Sequence, residues 1–264
     1  MSAAGPAVDR SAVPPRADTD LVRVYVWEWP VRLAHWLIVI SIFVLSWTGI
    51  YIGHPFLISA GEARFQFTMG LAKTIHSYAA IVFTMSVLVR FIWMFTGNRF
   101  SHWTKFIPVG SRRRKAILPV VKYYLFALRK PPGFVGHNPL AGLTYSLVFL
   151  VYFTMIGTGI ALRNVSADIH SPLRIFAFLL PLYGGAQSAR WIHHVGMWLL
   201  WGFAVHHVYS AILMSQVEAN ATIESIFSGY KFVHRDDVVY SGYRFLVKKD
   251  DLVQTDPSAR PRAR

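Results

Sequence analysis

Residues 191–214 read WIHHVGMWLLWGFAVHHVYSAILM, an apolar run that holds four histidines and no Asp, Glu, Lys or Arg. At about 1.5 Å of rise per residue, such a helix crosses a hydrocarbon core of about 30 Å. Ionisable groups inside a membrane mark function by default, and this stretch holds His193, His194, His206 and His207. A separation of 14 residues turns a helix through about 1,400°, roughly 40° short of four full turns, and rises about 21 Å. His193 and His207 therefore share a face at two depths. His194 lies about 220° around the helix from His207 and about 120° from His206. Neither of those pairs faces one cleft, which leaves His194 and His206 to packing or to the periphery of a site.

Three further stretches are long and apolar enough to span, Leu33–Ile52, Ile75–Phe95 and Leu143–Leu162. They add His35, His76 and Arg90, and the spacing recurs: His76 and Arg90 are 14 apart, as are His35 and Gly49. One intramembrane histidine is readily explained by an interhelical hydrogen bond, but six with an arginine are not. Two shorter runs, Ala116–Leu128 and Ile175–Tyr183, fall short of a span and read as interfacial helices.

Composition agrees with a membrane protein. Hydrophobic residues make up 54% of the 264, charged residues only 15% against about 25% in soluble domains, and mean hydropathy is +0.38. The absence of cysteine excludes disulfides, iron–sulfur clusters, thiolate catalysis and covalent haem attachment. Any redox metal must be held by His or Met. The net charge of +14 would suggest nucleic acid in a soluble protein, but in this chain it follows membrane topology. The segment before the first span, the loop after the second and the tail after the fourth hold 21 Lys and Arg, against five on the opposite face. Both termini are therefore expected in the cytoplasm. Residues 1–22 read as a disordered lead-in, 23–231 as the membrane domain and 232–264 as a cytoplasmic tail. Trp27, Trp29, Trp93 and Trp191 near the span ends suit aromatic belts.

With that orientation, His76 and His193 lie at the outer level and His35 and His207 at the inner one. Two imidazoles from facing helices are what a b-type haem needs when no cysteine tethers it, and two haems stacked across a bilayer form an electron wire. Arg32, Lys73 and Arg190 stand three residues before His35, His76 and His193. There they could meet haem propionates or simply snorkel to the headgroups. Gly49, Gly157, Gly159, Gly196 and Gly202 could admit a flat macrocycle or serve close helix packing. The loop histidines His54, His102, His137, His170 and His234 suggest no role.

Several motifs carry a family resemblance: Pro30-Val31-Arg32-Leu33-Ala34-His35-Trp36, Thr48-Gly49-Ile50-Tyr51-Ile52-Gly53, Gly136-His137-Asn138-Pro139, Trp191-Ile192-His193-His194-Val195-Gly196-Met197-Trp198, His207-Val208-Tyr209 and Ser228-Gly229-Tyr230-Lys231. Together they resemble the b-type cytochrome subunit of membrane-bound uptake nickel–iron hydrogenases and, more distantly, that of formate dehydrogenase. The resemblance implies an all-α integral membrane protein, a four-transmembrane-helix diheme cytochrome b bundle with both termini cytoplasmic, in the bacterial inner membrane. It implies an anchor for the hydrogenase small and large subunits on the periplasmic face, two haem b groups, and electron delivery to membrane quinone. The family's haem ligands fall on His35, His76, His193 and His207; the spacing and charge of the residues themselves add Arg32, Lys73, Arg90 and Gly49 as candidate cofactor-binding positions. Leu213-Met214-Ser215 stands where the family usually has a charged Arg-Glu-Asp cluster.

The chain has no nickel site, which would need cysteines, so it is expected to be an electron-transfer subunit without its own hydrogen-splitting centre. A formate dehydrogenase or thiosulfate reductase type cytochrome subunit is the alternative on the same fold. A transporter would need a polar pathway or unwound spans, and a bare anchor would need no buried histidine. Reporter fusions in the Arg99–Leu140 loop are expected to score as cytoplasmic; a periplasmic signal would invert the topology and exchange the two levels.

Overall fold

The computed structural model describes residues 21–56, 67–129, 134–165, 167–168, 170–218, 221–234, 245–247 and 252–255. Four helices are long and apolar enough to cross a membrane: α1 (Trp29–Gly53), α2 (Thr68–Thr96), α4 (Pro139–Val165) and α6 (Ala186–Glu218). Each extends past the apolar run that marks it, because polar end residues continue the helix into the headgroup zone. Pro30 sits in the first turn of α1 after an extended Glu28, where a missing N–H costs nothing. The Asn138 side chain accepts from Ala141 N at 2.8 Å and caps α4. Gly184 and Gly185, at φ 77° and 91°, turn the chain sharply into α6.

The expected interfacial run 116–128 is the last part of α3 (Ser111–Tyr124) and the turn that follows it. The run 175–183 is a 3-10 turn at Pro172–Phe176 followed by α5 (Leu179–Leu182). A short α7 (Thr222–Ser228) follows α6.

The all-α expectation needs one correction. Beside the helices lies a four-stranded sheet of β1 (Leu21–Tyr25), β2 (Tyr230–His234), β3 (Phe245–Val247) and β4 (Leu252–Thr255), in the order β2-β1-β4-β3. β1 runs antiparallel to β2, with Leu21 opposite His234 and Tyr25 opposite Tyr230, and parallel to β4. Strands this short carry little period-2 signal, and β1 finds β2 only after the whole bundle has been traversed. Leu21 and Val22, expected in a disordered lead-in, open β1, while residues 1–20 lie outside the described residues.

β1–β2 pairing sets the segments flanking the first and last spans on the same end of the bundle, here the sheet end. Val24, Val26, Trp27, Val31, Phe100, Val135 and Val233 form a dry cluster there. Trp27 is thus a core residue rather than part of an aromatic belt, and its indole N–H donates to Ser225 Oγ at 3.1 Å. Trp29 and Trp191 are exposed, as a belt requires. In the spans many large apolar side chains, among them Ile40, Trp47, Ile81, Leu150 and Trp198, are exposed, as contact with lipid requires. A second cluster of Ile38, Phe83 and Val87, flanked by Phe149, Phe153 and Ile156, joins α1, α2 and α4.

Glu28 ties the sheet end to the bundle. Its Oε2 accepts from Trp93 Nε1 at 2.8 Å and from Asn98 N at 2.7 Å, and Asn98 Nδ2 donates to Val26 O at 3.0 Å. Removing this acceptor leaves two part-buried donors unsatisfied, at about 1–3 kcal/mol each. Glu28→Ala is expected to destabilise the detergent-solubilised protein by about 2 kcal/mol in denaturant unfolding, with Glu28→Gln retaining most of that stability. A loss below about 0.5 kcal/mol would show that water replaces the carboxylate.

Candidate functional site

The spans alternate in direction, so His35, near the start of α1, and His207, late in α6, stand toward the sheet end. Their rings meet across the bundle with centroids 6.3 Å apart and planes at 56°. Phe203 stacks on His207 at 5.3 Å and 18°, and Trp36 meets His35 edge-on at 5.1 Å. The Tyr145 hydroxyl lies 3.3 Å from His207 Nδ1. His35 Nδ1 is buried with no hydrogen-bond partner among the described residues.

At the far end, His76 in α2 and His193 in α6 form the matching pair, with centroids 6.5 Å apart and planes at 54°. Thr48 Oγ1 lies 2.9 Å from His76 Nδ1, and Thr158 Oγ1 lies 2.8 Å from His193 Nδ1. Thus the two pairs selected by the 14-residue spacing are the two that the fold brings together. Among the described residues no three His, Asp or Glu side chains gather into a metal cage.

The helices are grouped in two closely packed pairs. α1 packs chiefly on α2 and α4 chiefly on α6, whereas α6 makes no comparable backbone approach to α1 or α2. Between the two levels, Trp201 of α6 reaches across to donate to Ser46 Oγ of α1 at 2.9 Å. A Cβ added at Gly49 would lie 3.4 Å from His76 Cε1, and one at Gly159 would lie 3.5 Å from His193 Cε1. These two glycines border the far-end rings. Gly196 instead admits Met155, and Gly157 admits the Tyr183 hydroxyl, so both serve packing. Gly202 has open space beside it.

Arg90 is 8% exposed, lies over the Phe106 ring at 5.1 Å, and has an Nη1 without a hydrogen-bond partner among the described residues. Arg32 Nη1 donates to Phe227 O of α7, so this residue also holds the sheet end together. Lys73 is exposed at the start of α2. Arg190 donates to Gln187 Oε1 at 3.1 Å. His194 and His206 are both exposed; His194 approaches Gly53, and His206 Nε2 lies 3.3 Å from Ser210 Oγ.

The sequence reading missed Thr48 and Thr158, although the triplet Thr-Gly-Ile recurs at 48–50 and 158–160. It also passed over His137, which packs 4.7 Å from the rings of both Trp27 and Tyr145, just before α4. Burial, reinforced by Arg90 and Lys231, pushes its pKa well below the usual histidine value. His137 is therefore neutral at physiological pH.

The profile of prokaryotic cytochrome b561 proteins matches residues 26–229. The chain is 36% identical over 210 residues to the probable Ni/Fe-hydrogenase B-type cytochrome subunit of Cupriavidus necator, covering 78% of this chain and 86% of that one. It is 35% identical over 216 residues to the probable Ni/Fe-hydrogenase 1 B-type cytochrome subunit of Escherichia coli K12, covering 80% and 92%. A Bradyrhizobium diazoefficiens protein of the same description is 36% identical over 209 residues, covering 78% and 85%. Four membrane-crossing helices, intramembrane histidine pairs and a match spanning the whole bundle lead to one assignment: this multi-pass protein of the bacterial inner membrane belongs to the prokaryotic cytochrome b561 family, whose cofactor is b-type haem.

Proposed function

We propose that the chain carries two haem b groups, anchors a nickel–iron hydrogenase at the periplasmic face, and passes its electrons to membrane quinone, with both termini in the cytoplasm. The single observation that carries this reading is the spacing of the two histidine pairs, 6.3 and 6.5 Å between ring centres. One iron held between two imidazoles, at about 2 Å per metal–nitrogen bond, would need ring centres roughly 6 Å apart, so both pairs fit a bis-histidine site. Haem b, when bound, supplies a reversible one-electron carrier.

The protein's own contribution is placement. His76 and His193 would hold the outer group, His35 and His207 the inner one. The residue spacing along α6 separates the levels by about 21 Å of helix rise. Lipid-facing Ile, Leu, Phe and Trp exclude water from both. The unpartnered Nη1 of buried Arg90 offers a charge-assisted hydrogen bond to a propionate carboxylate. Lys73 and Arg32 stand near the outer and inner levels respectively, and Gly49 leaves room beside His76. The cation-rich sheet end supports a cytoplasmic location. The far end, near Gly61–Lys73 and Arg163–Arg190, would then meet the hydrogenase small subunit beside the His76–His193 pair; residues 61–66 of the first stretch lie outside the described residues. The names of the relatives favour hydrogenase over formate dehydrogenase or thiosulfate reductase as the partner. Lipid surrounds the spans, and nucleic acid has no place in this reading.

Haem counting tests the assignment. His193→Ala and His207→Ala are each expected to lose a different haem, leaving one per chain by pyridine haemochrome, while His194→Ala and His206→Ala keep two. One haem in either of the latter, with the protein inserted, would show that the other member of a His-His pair is the ligand. Deleting the chain in a hydrogenase-bearing host is expected to abolish hydrogen-to-quinone turnover while sparing dye-linked hydrogen oxidation. Persistence of quinone reduction would refute the wiring role.

A further inference from the structure

The far-end histidines are held by the same kind of residue on two different helices, with the Leu45 carbonyl as a further acceptor beside His76. Thr48 of α1 meets His76 of the helix packed against it, and Thr158 of α4 meets His193 of the helix packed against it. Each threonine opens a Thr-Gly-Ile triplet, and each glycine borders the ring its threonine touches. The sheet-end pair lacks this symmetry: His207 has Tyr145 at the longer distance of 3.3 Å, and His35 Nδ1 has no partner.

The hydroxyl geometry decides which way the proton points. Thr48 Oγ1 lies 2.7 Å from Val44 O and 3.2 Å from Leu45 O, and Thr158 Oγ1 lies 2.7 Å from Thr154 O and 3.2 Å from Met155 O. Carbonyl oxygens only accept, and a hydroxyl has a single hydrogen. With that hydrogen committed to the helix backbone, each Oγ1 can only accept from the histidine. Nδ1 must then be the protonated nitrogen, and in a neutral ring the lone pair is on Nε2. Thr48 and Thr158 are 9% and 0% exposed, so water does not compete for the contact.

We propose that Thr48 and Thr158 are paired positioning residues that fix the Nδ1–H tautomer of His76 and His193, present Nε2 of both rings to one metal, and hold down the potential of the haem at that level. The inference rests on the reading of His76 and His193 as haem ligands. A hydrogen bond from Nδ1–H raises imidazole basicity, and a more basic ligand favours the ferric state. Acting on both axial ligands, it distinguishes the far-end haem from the sheet-end one.

The test uses the full chain in detergent, with haem counting, redox titration and low-temperature EPR of the low-spin ferric signals. Thr48→Val and Thr158→Val keep shape and remove the hydroxyl; Thr48→Ser and Thr158→Ser restore it. Thr84→Val and Thr154→Val remove hydroxyls that bond only to their own helix, at Ala80 O and Leu150 O. The expected result is an upward shift of one midpoint potential and a changed EPR signal for one haem in both Val variants, recovery in both Ser variants, and no change in the controls. If the Val variants lose that haem, its retention in the Ser variants supports the proposal and its loss from them overturns it. Val variants indistinguishable from the controls also overturn it. His76→Ala and His193→Ala, run alongside, separate the two levels of inference: should both retain two haems, the ligand reading fails and this one with it; should each lose one, only the threonine role is at stake.

Discussion

The structure depends on a constraint that hydrocarbon imposes on imidazole. A histidine ring has two nitrogens, both needing partners when water is absent, and this bundle holds such rings in three of its four spans, α1, α2 and α6. At the far end each Nδ1 is satisfied by a threonine on the neighbouring helix, which leaves the opposite nitrogens turned toward a shared cleft. In the proposed reading, a haem held between the rings would give those nitrogens a partner in a low-dielectric medium. The histidine pairs and the spacing between their helices therefore imply each other.

Helix pairing follows from this requirement. α1 with α2 and α4 with α6 form two tight units, drawn together by small residues and by aliphatic and aromatic packing rather than by expulsion of water. α6 makes no comparable backbone approach to α1 or α2, and its histidine rings face those of the two helices with centres 6.3 and 6.5 Å apart. Trp201 reaches Ser46 between the two levels, bridging a gap that backbone packing leaves open.

The sheet end solves a different electrostatic problem. Cations concentrate there, and the protein holds several of them out of water. Lys105, in the turn after α2, has its pKa lowered to about 8 by burial, with Arg113 and Arg99 adding repulsion. Arg113 donates to the carbonyls of Lys105 and His137, and His137 remains neutral among its aromatic neighbours. Glu28 directs its carboxylate to Trp93 and Asn98. This end is thus rich in positive charge, part of it buried beside aromatic rings and backbone carbonyls.

Much of this was determined by the linear chain. Span lengths, the absence of cysteine and the 14-residue histidine spacing depend only on residue order and helix pitch, and they singled out His35, His76, His193 and His207 while setting His194 and His206 aside. Tertiary structure alone decided what lies between elements. The sheet of β1 to β4 joins segments from opposite ends of the chain, and short strands have no register until a partner arrives. Trp27 became core rather than belt because α7 supplied Ser225. Gly49 and Gly159 border histidine rings while Gly157 and Gly196 admit side chains, a distinction that depends on facing helices and not on glycine itself. Thr48 and Thr158 look like ordinary helix residues until α2 and α6 bring their histidines into reach, because a hydrogen bond between helices depends on packing that no local sequence period records.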